Sequence, residues 1–166
     1  MGNKFRKEFA NVAKIMYGIP VGDVMTVPPM TIYVDDDFSI VEEKFVANRI
    51  RYLPVIAHTG ELVGIISQKD VYRRVAPRRS PEGQVIFSNE IIIDQDGYYE
   101  KESLNKYILN YIMRRDPVSI TKEKTLGDAI HAMVTNKIGC IPVVDDRKHV
   151  IGVVTRLDVL KLIDAA

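Results

Sequence analysis

The sequence repeats itself. Met25, Pro29, Ile32, Val46, Asn48, Ile50, Pro54, Val55, Gly64, Asp70 and Val71 return 88 positions later, with no gap, as Met113, Pro117, Ile120, Val134, Asn136, Ile138, Pro142, Val143, Gly152, Asp158 and Val159. Apolar character also matches between the identities, as in Leu53 with Ile141 and Ile65 with Val153. Two segments so related share one backbone. Two copies of a small unit pack most simply about a pseudo-two-fold axis, so any cleft between them is expected in two related versions.

Composition narrows the function classes. The chain has 166 residues, 46% of them apolar and 27% charged, which describes a globular protein able to bury one core or two small ones. A net charge of +1 and the absence of tryptophan offer no long-range field or stacking surface for nucleic acid. In residues 1–17, Lys7, Glu8 and Lys14 break every apolar run, so neither a signal peptide nor a membrane span is expected. A lone Cys140 excludes an internal disulfide and a thiolate zinc cluster, consistent with a cytoplasmic protein.

The second copy shows the elements most clearly. Leu126, Ala129, Ile130, Met133 and Val134 follow helical spacing after Thr125, a good N-cap. Cys140–Val144 and Val150–Thr155 are apolar runs separated by a polar turn, the pattern of a strand hairpin, and a helix follows from Leu157. A short strand at Val118–Ile120 precedes them, and a helix over about Asn105–Met113 comes before that. The first copy repeats the order, with a strand at Thr31–Val34, a helix from Phe38, a hairpin over Tyr52–Ser67 and a helix over Lys69–Val75. The expected fold is therefore α/β in the α+β sense, each repeat running β-α-β-β-α. Pro54 and Pro142 cannot donate to a ladder, so their strands should be short or lie at an edge there.

The expected organisation is an N-terminal helix in residues 1–20, a first repeat in 21–75, a connector in 76–103 and a second repeat in 104–166. Phe5, Phe9, Val12, Ala13 and Met16 have helical spacing, and Gly18-Ile19-Pro20 ends the run. The connector is long for a compact domain, and its apolar Val85–Phe87 and Ile91–Ile93 suggest a small added hairpin. Asp94 and Asp96 do not make a calcium loop, because Asn105 stands where the twelfth-position glutamate would be.

Chemistry, if present, lies where the last strand of each repeat meets its last helix, in Gly64-Ile65-Ile66-Ser67-Gln68-Lys69-Asp70 and Gly152-Val153-Val154-Thr155-Arg156-Leu157-Asp158. A hydroxyl followed three residues on by a carboxylate is a capping-box variant, a purely structural device. A helix N-terminus also attracts phosphate, and an aspartate there can accept from a ribose diol. The two roles are compatible.

These segments resemble the cystathionine-β-synthase (CBS) domain. The resemblance rests on Asp23-Val24-Met25-Thr26, Pro29, Thr31-Ile32, Leu53-Pro54-Val55-Ile56, Leu62 to Ser67 and Asp70-Val71, and on the second run Ile112-Met113, Pro117, Ser119-Ile120, Ile141 to Asp145, Val150 to Thr155 and Asp158-Val159. It covers about residues 20–75 and 104–164 and implies a Bateman module, in which two repeats pack through their sheets and adenosine-containing ligands such as AMP, ADP, ATP or S-adenosylmethionine bind in the clefts.

The resemblance also implies site residues. Asp70 and Asp158 would hold ribose hydroxyls, and Ser67 and Thr155 would meet ribose or phosphate. Thr31, Ile32 and Tyr33, with Ser119, Ile120 and Thr121, would frame the adenine. Tyr52, Leu53 and Pro54, with Cys140, Ile141 and Pro142, would line the base pocket. Arg156 is placed for a phosphate, and Lys69, Arg49, Arg51 and Lys137 are further cations for that role. No metal and no catalytic cofactor are expected. Cys140 lacks a histidine neighbour in sequence to activate it, so no catalytic thiol is expected either.

Three functions compete. The first is a regulatory module that binds an adenine nucleotide or S-adenosylmethionine, forms a homodimer through its helices and signals to an effector protein. The second is a dimerisation scaffold with empty clefts, and the third an enzyme or nucleic-acid binder. The third lacks both a catalytic constellation and a basic, aromatic surface.

Overall fold

The structure, a computed structural model, describes residues 14–75, 78–79, 85–86, 109 and 111–164. The first repeat runs β1 (Ile32–Tyr33), α1 (Phe38–Ala47), β2 (Tyr52–Ile56), β3 (Leu62–Ser67) and α2 (Gln68–Val75). After it come β4 (Arg78–Arg79) and β5 (Val85–Ile86). The chain continues with β6 (Arg114–Arg115), β7 (Ile120–Thr121), α3 (Leu126–Thr135), β8 (Cys140–Val144), β9 (Val150–Thr155) and α4 (Arg156–Asp164). The fold is mixed α+β, with the β-α-β-β-α order in both repeats.

Two compact units result, and each is assembled from both repeats. Unit 1 takes in the residues up to Met30, Thr59–Leu62 and the chain from Asp116 onward, while unit 2 takes in Thr31–His58 and Val63–Arg115. In unit 1, β7 pairs in parallel with β8 and β8 antiparallel with β9. Thr26 then bridges Val153 antiparallel on the outer side of β9. In unit 2, the strand order is β1-β2-β3-β6, and β6 lies antiparallel to β3 with Ile65 opposite Arg114. The segment leading into each repeat thus extends the sheet of the other.

Backbone pairing explains the attachment of the N-terminal segment to unit 1. Val21 N–H donates to Lys124 O at 2.7 Å, Leu126 N–H to Ile19 O at 2.7 Å and Gly22 N–H to Lys122 O at 2.9 Å. Val21 is fully buried beside Leu126, Ala129, Ile141, Val143 and Val154. The core of unit 2 gathers Ile32, Val41, Phe45, Leu53, Val55 and Ile66 with Leu109, Ile112 and Met113. Each fully buried aliphatic side chain contributes about 1.5–3 kcal/mol relative to exposure.

The prolines sit in central strands, yet each occupies a local edge. β7 meets β8 only at Val143 and Val144, and β1 meets β2 only at Val55 and Ile56. Pro142 and Pro54 therefore lie just before the second neighbour begins, where a missing N–H is tolerated. The strand expected at Val118–Ile120 is found at Ile120–Thr121, because the parallel register engages only those two residues.

Helices α1 and α3 end alike. Asn48 and Asn136 are the C-caps, and the next residues, Arg49 and Lys137, take φ of 52° and 54°, the left-handed stop that follows many helices. Of the expected N-terminal helix, residues 14–16 are helical and the rest lies outside the described residues. The connector contributes an antiparallel pair with Arg78 opposite Ile86 and Arg79 opposite Val85. Ile91–Ile93, the Asp94–Gly97 turn and the helix expected before Leu109 lie outside the described residues.

Candidate functional site

Each strand–helix junction is closed by its own side chains. At the β9–α4 junction, Asp158 Oδ2 accepts from Thr155 N–H at 2.7 Å and from the Thr155 hydroxyl at 2.6 Å, while Asp158 N–H points back to Thr155 Oγ1 at 3.3 Å. At the β3–α2 junction, Asp70 Oδ2 accepts from Ser67 N–H at 3.1 Å and from its hydroxyl at 2.5 Å, with Asp70 N–H returning to Ser67 Oγ at 3.3 Å. These are capping boxes, as their spacing indicates.

The same arrangement occurs at the start of α3. Thr125 N–H and hydroxyl donate to Asp128 Oδ2 at 3.0 and 2.8 Å, and Asp128 N–H donates to Thr125 Oγ1 at 3.1 Å. A hydroxyl and an aspartate at this spacing therefore do not by themselves mark a ligand site. What the Asp158 junction adds is a contact to the second carboxylate oxygen. Both cap bonds go to Oδ2, and Oδ1 is met by the Thr26 hydroxyl at 3.4 Å, the long end of a hydrogen bond.

The other expected site residues of unit 1 lie on β8 and on β7 or just before it. Cys140 lies opposite Thr155 in the β8–β9 ladder and is buried, and burial, followed by the charge of Asp158, pushes its thiol up to about 12. A thiol raised this far carries little thiolate, the nucleophilic form, at neutral pH. Ile141 is wholly in the core and Pro142 is buried, so Ile141 can offer a ligand only its backbone. On the first strand Ser119 is exposed and Ile120 half-buried. The Glu123 backbone and then the Thr121 side chain, both by hydrogen bonds, hold the Glu123 carboxyl below the usual range.

Unit 2 shows the matching set with different details. Ile32, Leu53 and Pro54 are buried in the core, whereas Tyr52 is half-buried. The Thr31 carbonyl accepts from Lys44 Nζ at 2.6 Å. Tyr33 is 44% exposed and stacks on His58 at a centroid distance of 4.9 Å, and His58 Nε2 lies 3.0 Å from Asp35. Lys69 is exposed on the first turn of α2.

Arg156 opens α4, directly after Thr155. It lines a groove of about 450 Å³ between α3 and α4, with Met133, Val134, Lys137, Val159 and Leu160. Neither Thr155 nor Asp158 lines that groove. Lys137, another cation considered for phosphate, stands on the same groove. Conversely, sequence reasoning missed Thr26, whose hydroxyl reaches Asp158, and its counterpart Arg114, which pairs with β3. Their signal was available in the 88-residue offset, but only the strand pairing shows which strand each one joins.

Among the described residues, no cluster of three or more His, Cys, Asp or Glu side chains is placed to hold a metal, and no helix is long and apolar enough to cross a membrane.

Comparison with known proteins agrees with this architecture. The family model of the CBS domain matches residues 21–77 and 109–165. An uncharacterized protein of Methanocaldococcus jannaschii, MJ1426, is 29% identical over 150 residues, covering 85% of this chain and 89% of that protein. Among solved structures, the CBS domain pair of protein MJ0100 in complex with 5′-methylthioadenosine and S-adenosyl-L-methionine superposes with a TM-score of 0.67 at 23% identity, covering 88% of this chain and 96% of that one. The structure of CBSX2 in complex with AMP gives a TM-score of 0.65 at 24% identity, covering 89% and 98%.

Proposed function

The chain belongs to the CBS domain family, and from that premise we propose that it is a regulatory module that binds an adenosine-containing ligand at its strand–helix junctions. The observation that carries this reading is that the cap aspartate recurs at the same strand–helix junction of both CBS repeats, as Asp70 and Asp158. One carboxylate oxygen of Asp158 secures the cap, and the other keeps lone pairs able to accept from a ribose diol. Structural relatives captured with 5′-methylthioadenosine, S-adenosyl-L-methionine and AMP supply the ligand class. In this reading the backbone around Ile120, Cys140 and Ile141, and around Ile32 and Leu53, frames the base, while their side chains serve the core. The module senses and another protein acts, in the cytoplasm, where the free Cys140 stays reduced.

A second reading, self-association, is favoured by the face that carries the α3–α4 groove. Val134, Leu157, Leu160 and Ile163 are all more than half exposed there, a stripe of large apolar side chains on neighbouring helices. We propose a homodimer through such helical faces. It is compatible with ligand binding and becomes the whole function if the junctions bind nothing.

Thermal unfolding of the full chain against AMP, ADP, ATP, S-adenosylmethionine, NAD and a cyclic dinucleotide tests the first reading. A ligand present at a hundredfold over its dissociation constant adds about 2.7 kcal/mol of stability, several degrees for a chain of this size. A rise with one adenosine ligand that Asp158→Ala or Asp70→Ala diminishes supports a sensor. No rise with any of them leaves the dimerising scaffold, which sedimentation of wild type and Leu160→Glu then examines.

A further inference from the structure

The two junctions share a backbone but differ in charge, and the difference falls at positions that the strand pairing brings to the aspartate. In an antiparallel pair, opposed residues project to the same face, and so do residues two apart along a strand. Thr26 is opposite Val153, two residues before Thr155, and its hydroxyl reaches Asp158. Arg114 occupies the equivalent place in unit 2. It is opposite Ile65, two residues before Ser67, and is exposed. The strand pairing therefore puts an arginine on the Ser67 face of β3 at the position where, on β9, a short hydroxyl reaches Asp158.

A second position changes in the same direction. Lys69, one residue before Asp70, corresponds to Leu157, one residue before Asp158. In the opposite direction, the exposed Arg156 of unit 1, which lines the α3–α4 groove, corresponds to the neutral Gln68. The Asp70 junction thus combines a helix N-terminus, a lysine on its first turn and an arginine on the adjoining strand, while the Asp158 junction has leucine and threonine at the same two places.

We infer that the juxtaposition of Arg114 and Lys69 with Asp70 makes the unit 2 junction selective for a phosphorylated adenosine ligand, whereas Thr26 and Leu157 make the unit 1 junction selective for an adenosine ligand without phosphate. This rests on the reading that both junctions bind adenosine ligands. The aspartate recognises the sugar in both cases, and the two cations read what is attached to it. Arginine suits that task because its planar fork pairs with two phosphate oxygens at once.

Isothermal titration of the full chain with AMP and with adenosine, the same nucleoside with and without phosphate, separates the outcomes. The wild type should bind AMP at least about tenfold more tightly than adenosine at the site that Asp70→Asn removes, the loss expected for one charge-assisted hydrogen bond. Arg114→Thr with Lys69→Leu should erase that preference while leaving adenosine affinity unchanged, and Arg114→Lys should retain most of it. Thr26→Arg should create AMP preference at the site that Asp158→Asn removes. An AMP preference that survives Arg114→Thr with Lys69→Leu, or that disappears with Asp158→Asn instead of Asp70→Asn, overturns the inference and leaves nucleotide binding standing. If neither ligand binds the wild type, both the inference and the binding reading fall. Thr26, Lys69 and Arg114 are exposed and both aspartates half-buried, and circular dichroism melts verify that each variant folds.

Discussion

The sulfur of Met25 lies 2.6 Å from the point that a Cβ on Gly152 would occupy, and the sulfur of Met113 lies 2.8 Å from the same point on Gly64. Each methionine precedes the residue that adds to the neighbouring sheet, Thr26 on β9 and Arg114 on β3. The glycines are there for space, since a backbone carbonyl, Thr26 O in one case and Arg114 O in the other, also stands within 3.3 Å of the same point. Two of the repeated identities therefore form one contact, made twice, that clamps the lead-in of one repeat to the last strand of the other.

Gly152→Ala should destabilise the chain by about 1–3 kcal/mol, the usual cost of forcing atoms into a filled space. Part of the cost should vanish in a Met25→Ala background, because the two residues share the contact. Urea unfolding of the four members of this cycle measures the coupling, and costs that add within about 0.5 kcal/mol would show that the clamp is not where the strain arises.

The capping boxes supply an internal control for ligand binding. Thr125→Ala should cost about 1 kcal/mol of stability, the ordinary price of a lost cap, and leave the thermal shift given by an adenosine ligand intact. Asp158→Ala should lose stability of similar size and the ligand shift as well. Equal loss of shift in both variants would reduce Asp158 to a helix cap.

Acid should weaken the fold in a definite window. Asp128 is held below its ordinary value of 3.8 by the Thr125 backbone and hydroxyl, and Asp145 by the backbone N–H groups of His149 and Arg147 and the His149 ring. Carboxyls depressed in the folded state bind fewer protons there than in the unfolded chain, so their contribution is complete above about pH 5 and fades as pH falls through the folded values. Unfolding midpoints recorded from neutral pH downward should fall in that range, and Asp128→Asn should flatten the slope.

Cys140 should be silent toward thiol reagents while the chain is folded. With its thiol near 12, only about one molecule in ten thousand carries the thiolate at pH 8, and the sulfur is buried besides. Labelling with an aromatic disulfide should therefore follow unfolding, accelerating with urea. Rapid labelling in buffer would show that the β8–β9 edge opens locally.

The repeat, the element order and the helix caps could be read directly from the residues because they depend on local features. The helical spacing of Leu126, Ala129, Ile130 and Met133, the alternation of β9 and the hydroxyl–carboxylate spacing at Thr155 and Asp158 each involve neighbours within a few positions. The site was legible only in part. Motif matching named Ile32, Leu53 and Ile141, whose side chains proved to be core, and did not foresee that Arg156 lines a groove between two helices.

What the sequence determined by itself is that two equivalent β-α-β-β-α units exist and that each closes on a capped helix bearing an aspartate, since propensity, periodicity and capping are properties of short stretches. Only the tertiary structure decided that Thr26 completes the sheet ending at Asp158 and that Arg114 completes the one ending at Asp70. Strand pairing is specified by which edge is left open and which space is left unfilled, here beside Gly152 and Gly64, and those are properties of the packed chain that no local pattern contains.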